Sequence, residues 1–122
     1  MNTSGSTPPT IEKIEPFVNV IEVEKTYESE VIRLATKYGQ DETLVRKIIF
    51  CESTVYAHAT GTKAVVGIDV GYFQINTYFH EATAKKMGLD IYKWEDNLEY
   101  GFWLMSREGT QPWSASKFCW SK

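Results

Sequence analysis

The clearest pattern along the chain is a set of apolar positions at helical spacing that begins near Tyr27. Val31, Leu34, Ala35 and Tyr38 recur three and four residues apart, and Gly39 follows where a helix would stop. Asp41 stands where an N-cap belongs, with Glu42 placed for the positive end of the next helix dipole. The stripe of that second helix is Leu44, Val45, Ile48 and Ile49. Between residues 54 and 71 the helical period disappears. Short β-branched runs separated by Gly61, Gly67 and Gly71 predict a small hairpin region there. Helical spacing returns over 78–87 and stops at Gly88. Asp96 is expected to cap a fourth helix, in which Leu98, Gly101, Phe102 and Met105 share a face before Gly109 ends it. The closing stretch PWSASKFCW is short and aromatic. These elements predict an α+β fold, mostly helical, with a minor antiparallel hairpin.

A chain of 122 residues has room for one domain. Residues 1–26 read as a flexible N-terminal tail and packing segment. The first ten are mainly Ser, Thr, Gly, Pro and Asn, and residues 11–25 mix apolar and acidic side chains around Pro16, which argues against one continuous helix. Residues 27–122 form the compact domain. No apolar run approaches the roughly 18 residues of a membrane span. The opening MNTSGSTPPT has neither the basic nor the apolar region of a signal peptide, which leaves open a trimmed leader or a larger parent chain. A net charge of −3 argues against nucleic acid as a partner and offers no long-range attraction to an anionic cell wall. Aromatic residues make up 14% of the chain, with four Trp and seven Tyr. They serve a small core, a sugar-stacking surface, or both, because Tyr and Trp combine apolar faces with polar handles.

The informative anomaly is Glu52. Steps of four along the second helix run from Leu44 to Ile48 to position 52, where a core-facing side chain is expected and a carboxylate stands. A carboxyl group buried without a charged partner tends to keep its proton, and a carboxyl protonated near neutral pH is what a general acid needs. The plainer alternative is a helix ending at Cys51, with Glu52 turned to solvent. Asp69 follows 17 residues later within VVGIDVGYFQIN. In an extended segment it points away from the face of Ile68 and Val70, and Gly67 and Gly71 bracket it with room for a ligand. Taken alone it reads as a turn residue. Two carboxylates facing each other across a cleft are the machinery of glycoside cleavage, one protonating the leaving oxygen and the other stabilising or attacking the sugar cation.

Cys51 and Cys119 are too few for a disulfide-rich scaffold or a cysteine zinc site. They form either one bridge, contributing about 4 kcal/mol on the chain-entropy model, or two buried thiols. His58 and His80 raise the thought of a metal site or a Cys51–His dyad, but neither spacing fits a zinc pattern. No metal and no cofactor are expected.

The ordered motifs CES at 51–53 and DVGYFQIN at 69–76 resemble the lysozyme superfamily. The spacing is similar to that of animal-type lysozymes: Glu52 and Ser53 closing a helix, then Asp69, Gly71, Gln74 and Asn76, and later Gly109 and Trp113 in the Gly-x-x-x-Trp turn. The order of CES, DVG-x-x-QIN, NL-x-Y at 97–100 and W-x-x-S-x-x-CW at 113–120 looks still more like small bacterial domains of the soluble lytic transglycosylase type. A single such motif is weak, whereas the set with its gaps, spanning about 27 to 120, is specific. The resemblance implies a lysozyme-like fold over 27–122, Glu52 as the acid and Asp69 as the second carboxylate. It implies that Gln74 and Asn76 line a sugar cleft, with the Trp113 indole packed near the acid. That packing raises the acid's pKa in lysozyme. The four bridges of the animal enzymes are missing here. In the bacterial relatives the CES and CW cysteines occur together, which favours a Cys51–Cys119 disulfide.

The activity implied is a muramidase, hydrolysing the β-1,4 bond between N-acetylmuramic acid and N-acetylglucosamine in peptidoglycan. Two alternatives remain: a lytic transglycosylase cutting the same bond to leave a 1,6-anhydro sugar, and a non-catalytic module binding chitooligosaccharides. Asp69 favours hydrolysis, because the lytic reaction can run on one Glu. The resemblance also implies a monomer in a secreted or cell-envelope location.

Overall fold

A computed structural model of the chain describes residues 24–55 and 66–122. The tail and packing segment expected over 1–26 lie outside them except for the last three residues, as do Gly61 and His58. The described part is mostly helical with one two-stranded antiparallel sheet, as the α+β reading expects.

The first helix, α1, spans Tyr27–Tyr38. The Thr26 hydroxyl accepts the Ser29 amide and the Ser29 hydroxyl accepts the Thr26 amide, so two donors that a helix start leaves free are satisfied reciprocally. Gly39 closes the helix in the left-handed conformation, at φ 65°. The second helix, α2, spans Glu42–Phe50, and the Asp41 carboxylate accepts from the amides of Thr43 and Leu44, as its position predicts. A π-helical turn over Cys51–Val55 extends it. The hydroxyls of Ser53 and Thr54 bond the carbonyls of Ile49 and Phe50, four residues back, a side-chain bond of the kind that competes with the regular helical ladder. Such turns occur frequently at functional sites.

The sheet pairs β1, Asp69–Val70, with β2, Ile75–Asn76, in the register Asp69 to Asn76 and Val70 to Ile75. The hairpin thus falls at the C-terminal edge of the region expected for it and runs beyond residue 71. Helix α3, Thr77–Lys86, is capped by Asn76, whose Oδ1 accepts from the amides of Tyr78 and Phe79. The long helix α4, Trp94–Glu108, starts earlier than expected. Lys93 is its N-cap residue, and Asp96, expected as the cap, sits inside the first turn and accepts the Asp90 amide. The Asp96 carboxylate thus serves the loop that precedes α4. Gly109 ends α4, and a 3₁₀ turn over Gln111–Ser116 leads into α5, Lys117–Trp120.

The core forms where the stripes meet. Val31 and Leu34 from α1, Val45, Ile48 and Ile49 from α2, and Leu98, Phe102 and Met105 from α4 are buried together with Phe73, Ile75, Trp113 and Trp120. Phe73 is the central ring, edge-on to Phe102 at 5.7 Å and tilted on Trp113 at 5.3 Å. A Cβ on Gly101 would stand 2.0 Å from the Phe73 ring, so glycine here lets α4 press against the turn between the strands. Across the surface, Glu99 of α4 accepts from Lys37 at 2.6 Å and from the Tyr38 hydroxyl at 2.7 Å, tying α1 to α4. Cys51 and Cys119 are bonded, with Cα atoms 6.0 Å apart, inside the range a disulfide requires. The bridge anchors the π-turn to α5 across 68 residues of chain.

Candidate active site

Glu52 lies inside the π-turn and is buried, with 5% of its surface exposed. The side chain therefore continues the apolar stripe inward, as the spacing from Leu44 and Ile48 predicts. One oxygen, Oε2, accepts a hydrogen bond of 2.5 Å from the Ser116 hydroxyl. Burial pushes its pKa up to about 7; the Ser116 bond opposes that rise and the Asp69 charge adds to it. Desolvation is the larger cause, because burial removes the water that would stabilise the anion. Such a group holds a proton through much of the neutral range and can also release it there, the property of a general acid.

Asp69 opens β1 and is half-buried. Its carboxylate accepts from the Asn76 side-chain amide at 3.0 Å, directly across the strand pair. The same amide donates to the Val66 carbonyl at 2.9 Å, while the Asn76 Oδ1 caps α3. Asn76, expected on the sugar cleft, thus has its side chain engaged in holding Asp69 and starting the helix. The two carboxylates of the sequence reading are brought close enough for the charge of one to act on the other.

The turn between the strands is held from beneath by Asn97, the first residue of the NLEY motif, which is fully buried. Its Oδ1 accepts the Phe73 amide at 3.0 Å, and its Nδ2 donates to the carbonyls of Val70 and Ile91, both at 2.9 Å. Gly71 sits against this amide at φ 79°, and a Cβ there would come within 2.3 Å of Asn97. Gln74 takes the left-handed conformation at φ 51°, unusual for a residue other than glycine. Both its backbone and side-chain amides donate to the Gly71 carbonyl, at 3.0 Å each.

A groove of about 500 Å³ opens beside this turn, lined by Tyr27, Ser53, Gly71, Tyr72, Gln74 and Trp94. Ser53 is next to Glu52 in the chain, and Gly71 is two residues beyond Asp69. Gln74, which the resemblance puts on a sugar cleft, is among the residues lining this groove. The aromatic wall combines three separate segments: Tyr27 and Tyr72 have ring centroids 4.9 Å apart, and Tyr72 and Trp94 meet edge to face at 6.4 Å. With Ser53 and Gln74 it presents apolar faces beside neutral polar groups, a lining suited to sugar rings with hydroxyl and amide substituents.

Trp113 is in the core, 3% exposed, and so supports the site from below instead of forming a groove wall. Its indole donates to the Phe73 carbonyl at 2.9 Å, and its own carbonyl lies 3.1 Å from both the Ser116 hydroxyl and the Trp120 indole nitrogen. Ser116 is the site residue to which the sequence reading assigned no role. Its signal was present in W-x-x-S, where the step of three places it on the side of Trp113 that faces inward. His80 shares a 2.8 Å hydrogen bond with the Tyr100 hydroxyl and is lowered in pKa by burial. His58 lies outside the described residues. Compared with known proteins, the chain matches no family model, no curated protein and no solved structure.

Proposed function

We propose that this protein is a lysozyme-like muramidase that hydrolyses the β-1,4 bond between N-acetylmuramic acid and N-acetylglucosamine in peptidoglycan. The observation that carries the reading is Glu52, a buried carboxyl with a pKa of about 7, acted on by the Asp69 charge. In this mechanism the protonated Glu52 gives its proton to the bridging oxygen as the glycosidic bond breaks. The Asp69 carboxylate stabilises the oxocarbenium ion, or captures it, and Glu52, now ionised, removes a proton from the incoming water. The aromatic groove holds neighbouring sugar rings, which supplies short-range binding where a net charge of −3 supplies no long-range attraction. The Cys51–Cys119 bond suits a location outside the reducing cytosol, where the substrate is found.

A second reading, the lytic transglycosylase, is favoured by the same pKa. One carboxyl near 7 can act first as acid and then as base, taking the proton from the sugar's own 6-hydroxyl as the anhydro ring closes. Mass spectrometry of digested peptidoglycan separates the readings. Reducing ends identify hydrolysis, and 1,6-anhydro ends identify the lytic reaction. Intact strands retained by the protein identify a binding module and refute both.

A further inference from the structure

Ser116 has one hydroxyl proton and two acceptors within reach. Glu52 Oε2 is at 2.5 Å and the Trp113 carbonyl at 3.1 Å. The residue has no solvent-exposed surface, so water does not settle the choice. The Trp120 indole N–H also reaches the Trp113 carbonyl, at 3.1 Å, which leaves the Ser116 hydroxyl free to point at Glu52. That carbonyl therefore keeps a donor when the hydroxyl points at Glu52, and no buried acceptor is orphaned. A carboxyl oxygen at 2.5 Å needs a proton between it and the hydroxyl. If Ser116 supplies that proton, a proton carried by Glu52 must sit on the other oxygen, Oε1, to which no described residue donates or accepts a hydrogen bond. If Glu52 supplies it, the acid is turned inward and spent on Ser116.

We infer that Ser116 is a positioning residue that selects which oxygen of Glu52 carries the transferable proton, with Trp120 freeing its hydroxyl for the task. The inference rests on the reading of Glu52 as the acid. With Ser116 donating to Oε2, the proton on Oε1 is the one available for transfer to the bridging oxygen. After transfer the hydroxyl already faces the new carboxylate, so the charge meets a donor that does not have to reorganise. Among the described residues, Asp69 is the one charged group whose field reaches Glu52, and it opposes ionisation where Ser116 favours it.

The test follows the Glu52 side-chain carboxyl carbon by NMR across pH 4–9 in the wild type, Ser116→Ala, Ser116→Thr and Trp120→Phe, alongside kcat and KM on peptidoglycan fragments. Ser116→Ala should raise the Glu52 titration midpoint by about one pH unit, since a hydrogen bond to the charged form is lost. It should lower kcat about tenfold or more with KM unchanged. Ser116→Thr should restore both, because it restores the hydroxyl. Trp120→Phe should move the midpoint the same way by a smaller amount, although it does not touch Glu52, because the vacated Trp113 carbonyl then competes for the hydroxyl. A Glu52 midpoint unchanged in folded Ser116→Ala overturns the inference, as does a Thr variant that behaves like Ala. The titration is read without substrate, so a failure of the glycosidase reading shows separately, as absence of cleavage by the wild type.

Discussion

Replacing Glu52 with Gln should remove activity and at the same time stabilise the protein, in a manner set by pH. In the folded protein the Glu52 pKa rises from the ordinary 4.5 to about 7. A raised carboxyl pKa means that the folded state holds its proton more tightly than the unfolded chain does. Below about pH 4.5 both states are protonated and Glu52 imposes no penalty. Between 4.5 and 7 the unfolded chain ionises first, so stability falls as pH rises, and above 7 the loss is complete. The displacement corresponds to about 3 kcal/mol, an upper figure because water entering the groove would reduce it. Gln keeps the volume and can accept the Ser116 bond but never ionises. Urea unfolding of the two proteins should therefore give nearly equal free energies at pH 4 and a Glu52→Gln variant more stable by about 2–3 kcal/mol at pH 8. A stability difference that is the same at both pH values would refute the buried, proton-holding Glu52 on which the account depends.

Three further outcomes follow from the same structure. Asp69→Asn removes the negative charge that helps raise the Glu52 pKa, so the alkaline limb of activity should move to lower pH, and the rate should fall about a hundredfold; an unchanged pH–rate profile would exclude Asp69 from the reaction. Replacing both Cys51 and Cys119 with Ala should lower the unfolding free energy by about 4 kcal/mol in a urea titration, whereas a loss under 1 kcal/mol would show that the bridge does little for the fold. Trp94→Ala should raise KM for long oligosaccharides about tenfold while leaving kcat nearly unchanged, and an effect on kcat alone would place Trp94 outside the binding groove.

Helices α1 and α2 were legible because each is a stripe of apolar residues bounded by a chemical signal, Gly39 after α1 and Asp41 before α2. Glu52 was legible for the opposite reason, as a carboxylate standing where the stripe demands an apolar group. The hairpin was harder to place. Its turn needs positive φ at both Gly71 and Gln74, and only the glycine advertises it. The early start of α4 was hidden because Asp96, a good capping residue, is taken by the Asp90 amide instead. The Ser116 bond and the aromatic wall depend on residues far apart in sequence. Ser116 meets Glu52 across 64 positions, and Tyr27, Tyr72 and Trp94 come from three segments. Local pattern carries no record of such meetings. Asn76 and Trp113 show a related limit, because the resemblance placed them at the site but only the structure shows that both support it from the protein side.

The measurement that bears most directly on the central claim is the pH dependence of kcat/KM for cleavage of a defined peptidoglycan fragment, set beside the NMR titration of the Glu52 carboxyl in the same protein. An acid must be protonated to act, so activity should hold below the Glu52 midpoint and fall tenfold per pH unit above it, with both curves turning near pH 7. A Glu52 carboxyl titrating near its ordinary value of 4.5, or cleavage that continues undiminished through pH 9, would contradict the account.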